Sequence, residues 1–396
     1  MHTHRQGRWV AISDITPPFL HPQSPPFAPA AAAEKETPHA ERAEELLLEP
    51  HSLLLLPRER GHVLAAAGGQ GARADGELGE GREVPGRMGY GMHAGVWCNF
   101  GSVGDFPTDQ REDNAQSLCL DSEKSHVPKE YLGFPKVTLT ITSDEPQALI
   151  SIALCDVSPS GSSSLVSVGV LNLAHRESHH SPTPIPIHTP FTVTVALSSI
   201  GYRLPPQHKW RLALSSTMWP RVWPSPRNAL LRLHAGTLAL PPLPASAGSC
   251  VFAAAEAAPK RPYTVLRPES RTRQITLDVC TGERVLSDKI DEGRIYLEAE
   301  VEEGLGEVGS VEFDTVARNV FSITEGDPLS ARVACDVDVE VAGSDSGVPY
   351  HTRVETSSVM TCDRESFYIS SRIKALEGDT IVFERERTLT VPRSCM

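Results

Sequence analysis

From residue 137 onward, apolar and polar residues alternate in short segments, which is the period of a β-strand with one buried face. In Val137–Thr142, the residues Val137, Leu139 and Ile141 share one face of the predicted strand. Segments of the same kind follow at Ala148–Val157, Ser164–Leu173, Phe191–Leu197, Trp210–Ser216 and Leu230–Gly236. No long amphipathic helix pattern separates them, so we expect antiparallel pairing. Together these strands predict a jelly-roll-like sandwich of two sheets.

The alternation resumes after the Pro/Ala-rich stretch Pro241–Pro262, which we interpret as a boundary between two regions. The predicted strands beyond it are Arg273–Val279, Arg294–Val301, Ser310–Asp314, Ala331–Gly343, His351–Cys362, Glu365–Leu376 and Thr380–Val391. Short turn signals join the last three of these strands as an antiparallel β-meander. Charged residues fill the middle of Thr380–Val391, so we predict that this strand faces solvent or lies at an edge of its sheet.

The residues before the sandwich have a different composition. Pro22–Pro38 is rich in proline and alanine, and Gly68–Gly89 is rich in glycine with interspersed charges. Neither has the apolar periodicity needed to bury a core, so we expect residues 1–89 to be largely disordered, with one short helix within Glu41–Leu56. The predicted fold class is all-β, with the sandwich at residues 90–248 and the second antiparallel β region at residues 263–396.

The charge, apolar stretches and cysteines of the chain restrict the partners and the cellular compartment that we expect. The 396 residues carry 37 Lys and Arg against 50 Asp and Glu, a net charge of -13, which argues against a nucleic-acid partner. The longest apolar stretch, Leu46–Pro57, is interrupted by Glu49, Pro50 and His51 and is shorter than the roughly twenty residues that span a bilayer. The eight cysteines are scattered without a C-x-x-C pair, so we expect reduced, mostly buried thiols in a cytoplasmic protein.

No serine-hydrolase nucleophile is recognisable in the sequence. Such enzymes place the serine in a G-x-S-x-G turn, because only small neighbours tolerate that sharp elbow. The nearest strings, Gly161–Leu165 and Gly343–Gly347, lack a glycine or the central serine, and turn chemistry explains them more simply. We therefore assign no catalytic residue, and we expect no metal and no cofactor.

Three residues are candidates for a ligand or an interface: Trp219, Trp223 and His175. Two interpretations remain open for the Trp-Pro steps of Met218–Pro226, which either present an aromatic platform for a sugar or acyl group or plug one end of the sandwich. We favour the plug, because large aromatic side chains are mostly buried. His175 lies four residues from His179, a metal-ligand spacing on a helix, but the prolines that follow favour a loop.

An acidic string, Asp105–Ser122, contains Asp105, Asp109, Glu112 and Asp113. Paired carboxylates can act in acid–base catalysis or bind calcium. The spacing of an EF-hand is missing and Arg111 can neutralise a neighbour, so we favour helix capping or a salt bridge between segments.

Three segments, Trp97–Glu123, Leu132–Arg176 and Tyr202–Pro226, together resemble a known family. They contain alternating strands in a fixed order, separated by the turns S-D-x-P and D-V-x-P-x-G-x-S and followed by the strand G-V-L-N-L-x-H-R. This order resembles the C-terminal jelly-roll domain of the CocE/NonD hydrolases. That family includes cocaine esterase and the X-Pro dipeptidyl-peptidases. Where its members commonly have Gly-His-Arg, this chain has Gln207, His208 and Lys209, so the resemblance implies an altered turn there.

The resemblance implies an accessory role. In the family, the catalytic serine, aspartate and histidine belong to an α/β-hydrolase domain that precedes the jelly roll, so no catalytic residue carries over to this chain. We expect the C-terminal portion of a serine acyl-hydrolase, from a truncated or split gene, that packs on a hydrolase domain encoded upstream or supplied in trans. The alternative is a stand-alone β-sandwich module, galactose-binding-like, that binds a carbohydrate or small ligand.

Overall fold

The computed structural model describes residues 81–99, 101–243, 262–298, 306–345 and 347–394, together with short segments at 10–11, 44–48, 54–57, 248–249 and 300–302 and the single residues 254 and 256. Within these residues the protein is built almost entirely of antiparallel strands, so the all-β prediction is confirmed. Most of the predicted low-complexity segment Met1–Gly89 lies outside the described residues. The predicted domain boundaries stay a prediction.

The first region contains a short helix, α1 (Arg111–Ala115), a 3₁₀ turn at Leu173–His175 and the strands of a sandwich. Its strands are β1 (Val10–Ala11), β2 (Glu44–Leu48), β3 (Leu54–Pro57), β4 (Arg82–Val84), β5 (Leu118–Ser122), β6 (Lys129–Gly133), β7 (Lys136–Ser143), β8 (Leu149–Val157), β9 (Ser163–Asn172), β10 (Phe191–Ala196), β11 (Ile200–Leu204), β12 (Lys209–Ser215), β13 (Leu231–Leu240) and β14 (Gly248–Ser249). Its hydrogen-bonded strand order is β10-β7-β13-β2-β3-β5-β12-β8-β9, with β6 paired to β11.

The sandwich buries a continuous core. Val137, Leu139 and Ile141 on β7 are fully buried, as the alternation predicts, while the threonines between them face the other side. Every residue of β8 is buried, because β9 and β12 flank this strand and both of its faces are covered. Buried side chains from the strands on both sides form one cluster, which closes the sandwich.

Two local expectations were wrong. Glu41–Leu56 was expected to contain a helix, but Glu44–Leu48 and Leu54–Pro57 are strands, since β2 pairs with β13 and β3 pairs with β5. The β3–β5 pair is parallel. The thiols are also less buried than expected: Cys155 is buried, Cys98 and Cys280 are exposed, and Cys119, Cys335 and Cys362 are intermediate.

The second region is a long antiparallel sheet, which we call the meander sheet. Its strands, with the small β18–β19 hairpin, are β15 (Thr264–Arg267), β16 (Ser270–Leu277), β17 (Glu283–Leu297), β18 (Glu300–Glu302), β19 (Gly306–Val308), β20 (Ser310–Thr324), β21 (Asp327–Asp345), β22 (Val348–Cys362), β23 (Ser366–Glu377) and β24 (Thr380–Pro392). The order is β15-β17-β20-β21-β22-β23-β24, with β16 also paired to β17. Strand β24 lies at the edge and is exposed along its whole length, which confirms the sequence prediction.

The two faces of the meander sheet differ. One face, which we call the apolar face, carries Val337, Val339, Val354 and Ile373 in neighbouring positions. The other, the charged face, carries the ion pairs of Arg318 with Asp338, of Arg353 and Lys374 with Glu355, and of Arg372 with Glu384. Directly opposite residues of antiparallel strands point to the same side, so each face is continuous across the sheet.

One end of the apolar face packs against the sandwich. Leu286, Ile323 and Ala331 of the meander sheet are buried together with Met88, Met92 and Trp219 of the first region. We call this contact the junction.

In the part of the chain that the structure describes, no helix is long and apolar enough to cross a membrane.

Candidate functional site

Both candidate tryptophans lie in the junction. Trp219 is 1% exposed, and its ring meets Trp223 edge-on at 5.4 Å and Phe321 at 6.4 Å between ring centres. Trp223 contacts Phe367 at 5.6 Å, and its indole N–H donates to Sγ of Cys362 at 3.2 Å. The rings therefore fill the contact between the sandwich and the meander sheet. A ligand-binding role for either ring stays a prediction.

His175 lies at the end of the 3₁₀ turn Leu173–His175, as the loop interpretation expects. Its Nδ1 is 3.4 Å from Nδ1 of His179, so the structure brings the two imidazoles together. Asn172 caps the turn by accepting from the Ala174 amide at 3.0 Å. Among the described residues, no group of three or more His, Cys, Asp or Glu is placed to hold a metal ion. A ligand role for His175 stays a prediction.

The acidic string forms a salt bridge between segments, as predicted for one of its members. Asp105 accepts from Arg271 of β16, and Arg271 also donates to both carboxylate oxygens of Asp288 at 2.9 and 2.7 Å. Arg273 adds a third bond to Asp288 at 2.9 Å. Hydrogen bonding to Asp288 raises the pKa of Arg271, while burial lowers the pKa of Arg273. These charges link the loop before α1 to the meander sheet.

Asp113, in α1, is another member of the acidic string and is buried. Its Oδ2 accepts from the His93 amide at 3.3 Å, and its Oδ1 has no hydrogen-bond partner among the described residues. Burial disfavours the charged carboxylate and raises its pKa to about 6, against the lowering effect of nearby His93. A carboxyl that titrates near neutral pH is the feature of this string that spacing alone does not indicate.

A hydroxyl, an imidazole and a carboxylate lie in line beside Asp113. Thr108 Oγ1 is 3.0 Å from Nδ1 of His93, and Nε2 of His93 is 3.1 Å from the Glu112 carboxylate. Serine hydrolases rely on such an order, but with a buried carboxylate and an elbow that presents the nucleophile. Here the Glu112 side chain is 77% exposed and Thr108 lies in an exposed loop segment, so solvent weakens the arrangement. We assign no catalytic role to it.

A second polar cluster stabilises one end of the sandwich. The buried Asp156 of β8 accepts from the Tyr202 hydroxyl at 2.7 Å and lies 2.6 Å from Nδ1 of His208. The carboxylate is the central group, so the hydroxyl does not face the imidazole and the order of a catalytic triad is not formed. Asp156 is more than forty positions from both Tyr202 and His208 in the chain, so spacing in the sequence does not reveal the cluster.

At Gln207, where members of the resembling family commonly have glycine, the backbone is left-handed. Gln207 has φ 65°, a left-handed conformation that glycine adopts without strain. The turn is kept, because the His208 amide donates to Pro205 O at 3.4 Å and the Gln207 amide donates to Ser125 O at 2.6 Å. The glycine expected from the resemblance would suit this position, and Gln207 occupies it at some conformational cost.

The meander sheet carries a shallow groove of about 290 Å³ on its apolar face. The side chains that line it are hydroxyls of β22 and β23, together with Ile373 and two arginines of the edge strand, Arg385 and Arg387. Its walls are one layer of strands, so the groove is open to solvent along the edge of the sheet. The charge pattern of Thr380–Val391 marks β24 as an edge strand but does not reveal the groove beside it.

Comparisons with known proteins point to one family. Residues 23–276 match the family model described as "X-Pro dipeptidyl-peptidase C-terminal non-catalytic domain". The match begins well before Trp97, where the resemblance in the sequence begins, and includes the first strands of the meander sheet. No curated protein matches the chain.

Solved structures of hydrolases are similar over part of the chain. An alpha-amino acid ester hydrolase is 18% identical over 42% of this chain and 33% of its own, with a TM-score of 0.37. An aminopeptidase from the marine sediment archaeon Thaumarchaeota archaeon is 16% identical over 37% and 30%, with a TM-score of 0.34. A CocE/NonD family hydrolase from Staphylococcus aureus is 12% identical over 34% and 32%, with a TM-score of 0.27. The chain spans about a third of each of these structures.

Proposed function

Because the chain belongs to the family of X-Pro dipeptidyl-peptidase C-terminal non-catalytic domains, we propose that it is the accessory part of a serine acyl-hydrolase or X-Pro dipeptidyl-peptidase. In this role it packs on an α/β-hydrolase domain and helps to wall the substrate pocket of that domain. The hydrolase domain is another part of a longer protein or a separate chain. By itself the chain does not turn over substrate.

The observation that carries this proposal is the family match, which covers every described strand of the sandwich except β1. The polar clusters of the sandwich fit a structural role. Asp156 is occupied by Tyr202 and His208, and the pair of Arg271 with Asp105 links the meander sheet to the first region. Each of these groups already has a partner inside the fold, which is typical of side chains that stabilise it.

Activity assays on the purified chain test the proposal. We expect p-nitrophenyl butyrate and an X-Pro p-nitroanilide to be hydrolysed no faster than in buffer, with no effect of a serine-directed inhibitor such as phenylmethylsulfonyl fluoride. Inhibitor-sensitive turnover above background would overturn the non-catalytic role.

Two variants decide the origin of any turnover. Thr108→Ala removes the hydroxyl next to His93, and His208→Gln removes the imidazole next to Asp156. Equal background rates in the wild type and both variants are the expected result. A turnover that one variant abolishes would identify that cluster as catalytic and contradict the proposal.

A further inference from the structure

The outer part of the apolar face, away from the junction, is open. Phe383, Ala375, Val354, Val339 and Thr315 lie opposite one another on five consecutive strands. Phe383 at the edge of this row is 49% exposed. An antiparallel sheet with one apolar side needs a second layer to cover that side.

The charged face needs no such cover. Arg318 and Asp338 pair at 2.7 Å, and Glu355 accepts from Arg353 at 2.7 Å. These pairs lie on alternate positions of the same strands that carry the valines. Charged side chains in water cost little to expose, so the charged face is stable against solvent. The apolar face is therefore the side of the meander sheet that a partner would stabilise by covering it.

The last hairpin gives the apolar face a charge pattern. Glu377 lies opposite Thr352 at the outer end of the face, and Arg385 lies opposite Ile373 nearer the junction. Among the described residues, neither Glu377 nor Arg385 has an ion-pair partner. The two charges have opposite sign and apolar side chains lie between them.

The spacing of these charges is symmetric about one row. Thr352, which faces Glu377, and Thr356, which faces Ile373 and through it Arg385, are each two residues from Val354. A twofold axis along the Val354 row that reverses the strand direction lays β23 on β23 and β24 on β24 of another copy, so Glu377 of one copy lies one strand, about 4.8 Å, from Arg385 of the other. Such a surface is complementary to itself.

We propose that the outer apolar face binds a second copy of this chain, face to face, with the Val354 row at the centre, Phe383 at the edge of that row and two Glu377–Arg385 pairs at the rim. The strands of the two copies run antiparallel. The sandwich of each copy covers the junction end of the same face, so this orientation keeps the two sandwiches apart. Two sheets stacked about 10 Å apart form the ordinary packing of a β-sandwich.

The area is sufficient for a weak specific dimer. Five strands at about 4.8 Å spacing and seven residues at about 3.4 Å rise give roughly 570 Å² of sheet per copy. The two copies together bury roughly 1,100 Å², the size of a weak, transient interface. We therefore expect a dimer with a Kd on the order of 10 μM, since area alone does not produce tight binding.

Sedimentation equilibrium on the full chain tests the dimer. The wild type is expected to associate, and Phe383→Asp is expected to raise the Kd at least about tenfold. Ile381→Asp is the matched control, because Ile381 lies on the same hairpin opposite Leu376, on the charged face, and is 50% exposed. Circular dichroism and urea unfolding of each variant report whether it is folded.

Charge reversal supplies the decisive comparison. Glu377→Arg and Arg385→Glu each place like charges near one another and weaken the dimer about three- to tenfold, whereas the double variant restores opposite signs and the wild-type Kd. Glu386→Arg, which lies opposite Arg372 on the charged face, leaves the Kd unchanged. A wild type that stays monomeric at about 200 μM overturns the proposal, as does a dimer insensitive to Phe383→Asp or a double variant that is not restored.

Discussion

The sandwich and the meander sheet are both antiparallel, but they are stabilised in different ways. In the sandwich, two layers enclose a cluster of fully buried side chains such as Leu139, Ile152 and Leu212. In the described part of the meander sheet, the buried aliphatic and aromatic side chains are Leu286, Ile323, Ala331 and Phe367, and they lie towards the junction. Antiparallel hydrogen bonding alone does not make a core. The position of the second layer decides which strands contribute to stability.

The largest effect is expected at the ion pairs that link the loop before α1 to the meander sheet. Arg271→Met leaves Asp105 and Asp288 buried with fewer partners, so the free energy of unfolding should fall by about 3–5 kcal/mol. Urea unfolding followed by the fluorescence of the junction tryptophans measures this change. The control Arg318→Met removes an exposed pair on the charged face and should cost less than about 1 kcal/mol. Equal losses in the two variants would show that the junction charges do not join the regions.

A smaller difference is expected between equivalent truncations in the two regions. Leu212→Ala in β12 truncates a fully buried side chain and should lower the free energy of unfolding by about 3 kcal/mol, because a cavity remains. Val339→Ala in the outer meander sheet should cost about 1 kcal/mol or less, since its surroundings are only half-buried. Chemical unfolding at a dilute, monomeric concentration compares the two. A loss at Val339 as large as that at Leu212 would contradict the contrast between the regions.

The third effect depends on pH and concerns Asp113, the buried carboxyl of α1. The pKa of Asp113 is raised from 3.8 to about 6, so the folded state binds this proton more tightly than the unfolded state. Its contribution to stability is complete below about pH 4 and is lost as pH rises through about 6. Asp113→Asn should therefore stabilise the protein by about 1–3 kcal/mol at pH 7.5 and change little at pH 4. Urea midpoints at the two pH values test this, and a variant that is destabilised at pH 7.5 would refute it.

The smallest effect is expected in a sandwich turn. Gln207→Gly relieves the left-handed conformation at φ 65° and should raise the free energy of unfolding by about 0.5 kcal/mol. Thermal unfolding at pH 7.5 is sensitive enough to detect it. The control Gln207→Ala keeps the steric cost and should give no gain. A stabilised alanine variant would mean that the left-handed conformation is not the source of the effect.

The sequence predicted the strands well where their signal is local. Val137–Thr142 and Thr380–Val391 agree closely with β7 and β24, because alternation with period two is set by each strand's own two faces. One short helix was predicted within Glu41–Leu56, but strand β2 forms there because it pairs with β13, a contact between segments distant in the chain.

The candidate sites were less predictable for a related reason. Arg271 and Asp105 are 166 positions apart, and Asp156 and His208 are 52 apart, so no spacing rule connects them. The Trp-Pro segment was singled out as a candidate for a ligand or an interface, but its partners Leu286 and Phe321 come from the meander sheet. A role that depends on contacts across regions becomes visible only when the fold is known.

Native-state hydrogen exchange tests the central contrast most directly, at a concentration well below the expected Kd of the dimer. Residues 150–154 of β8 and residues 352–356 of β22 both lie in strands with neighbours on each side. We predict that the β8 amides exchange only through global unfolding, whereas the β22 amides exchange through a local opening that costs at least about 2 kcal/mol less. Equal opening free energies for the two strands would contradict the account.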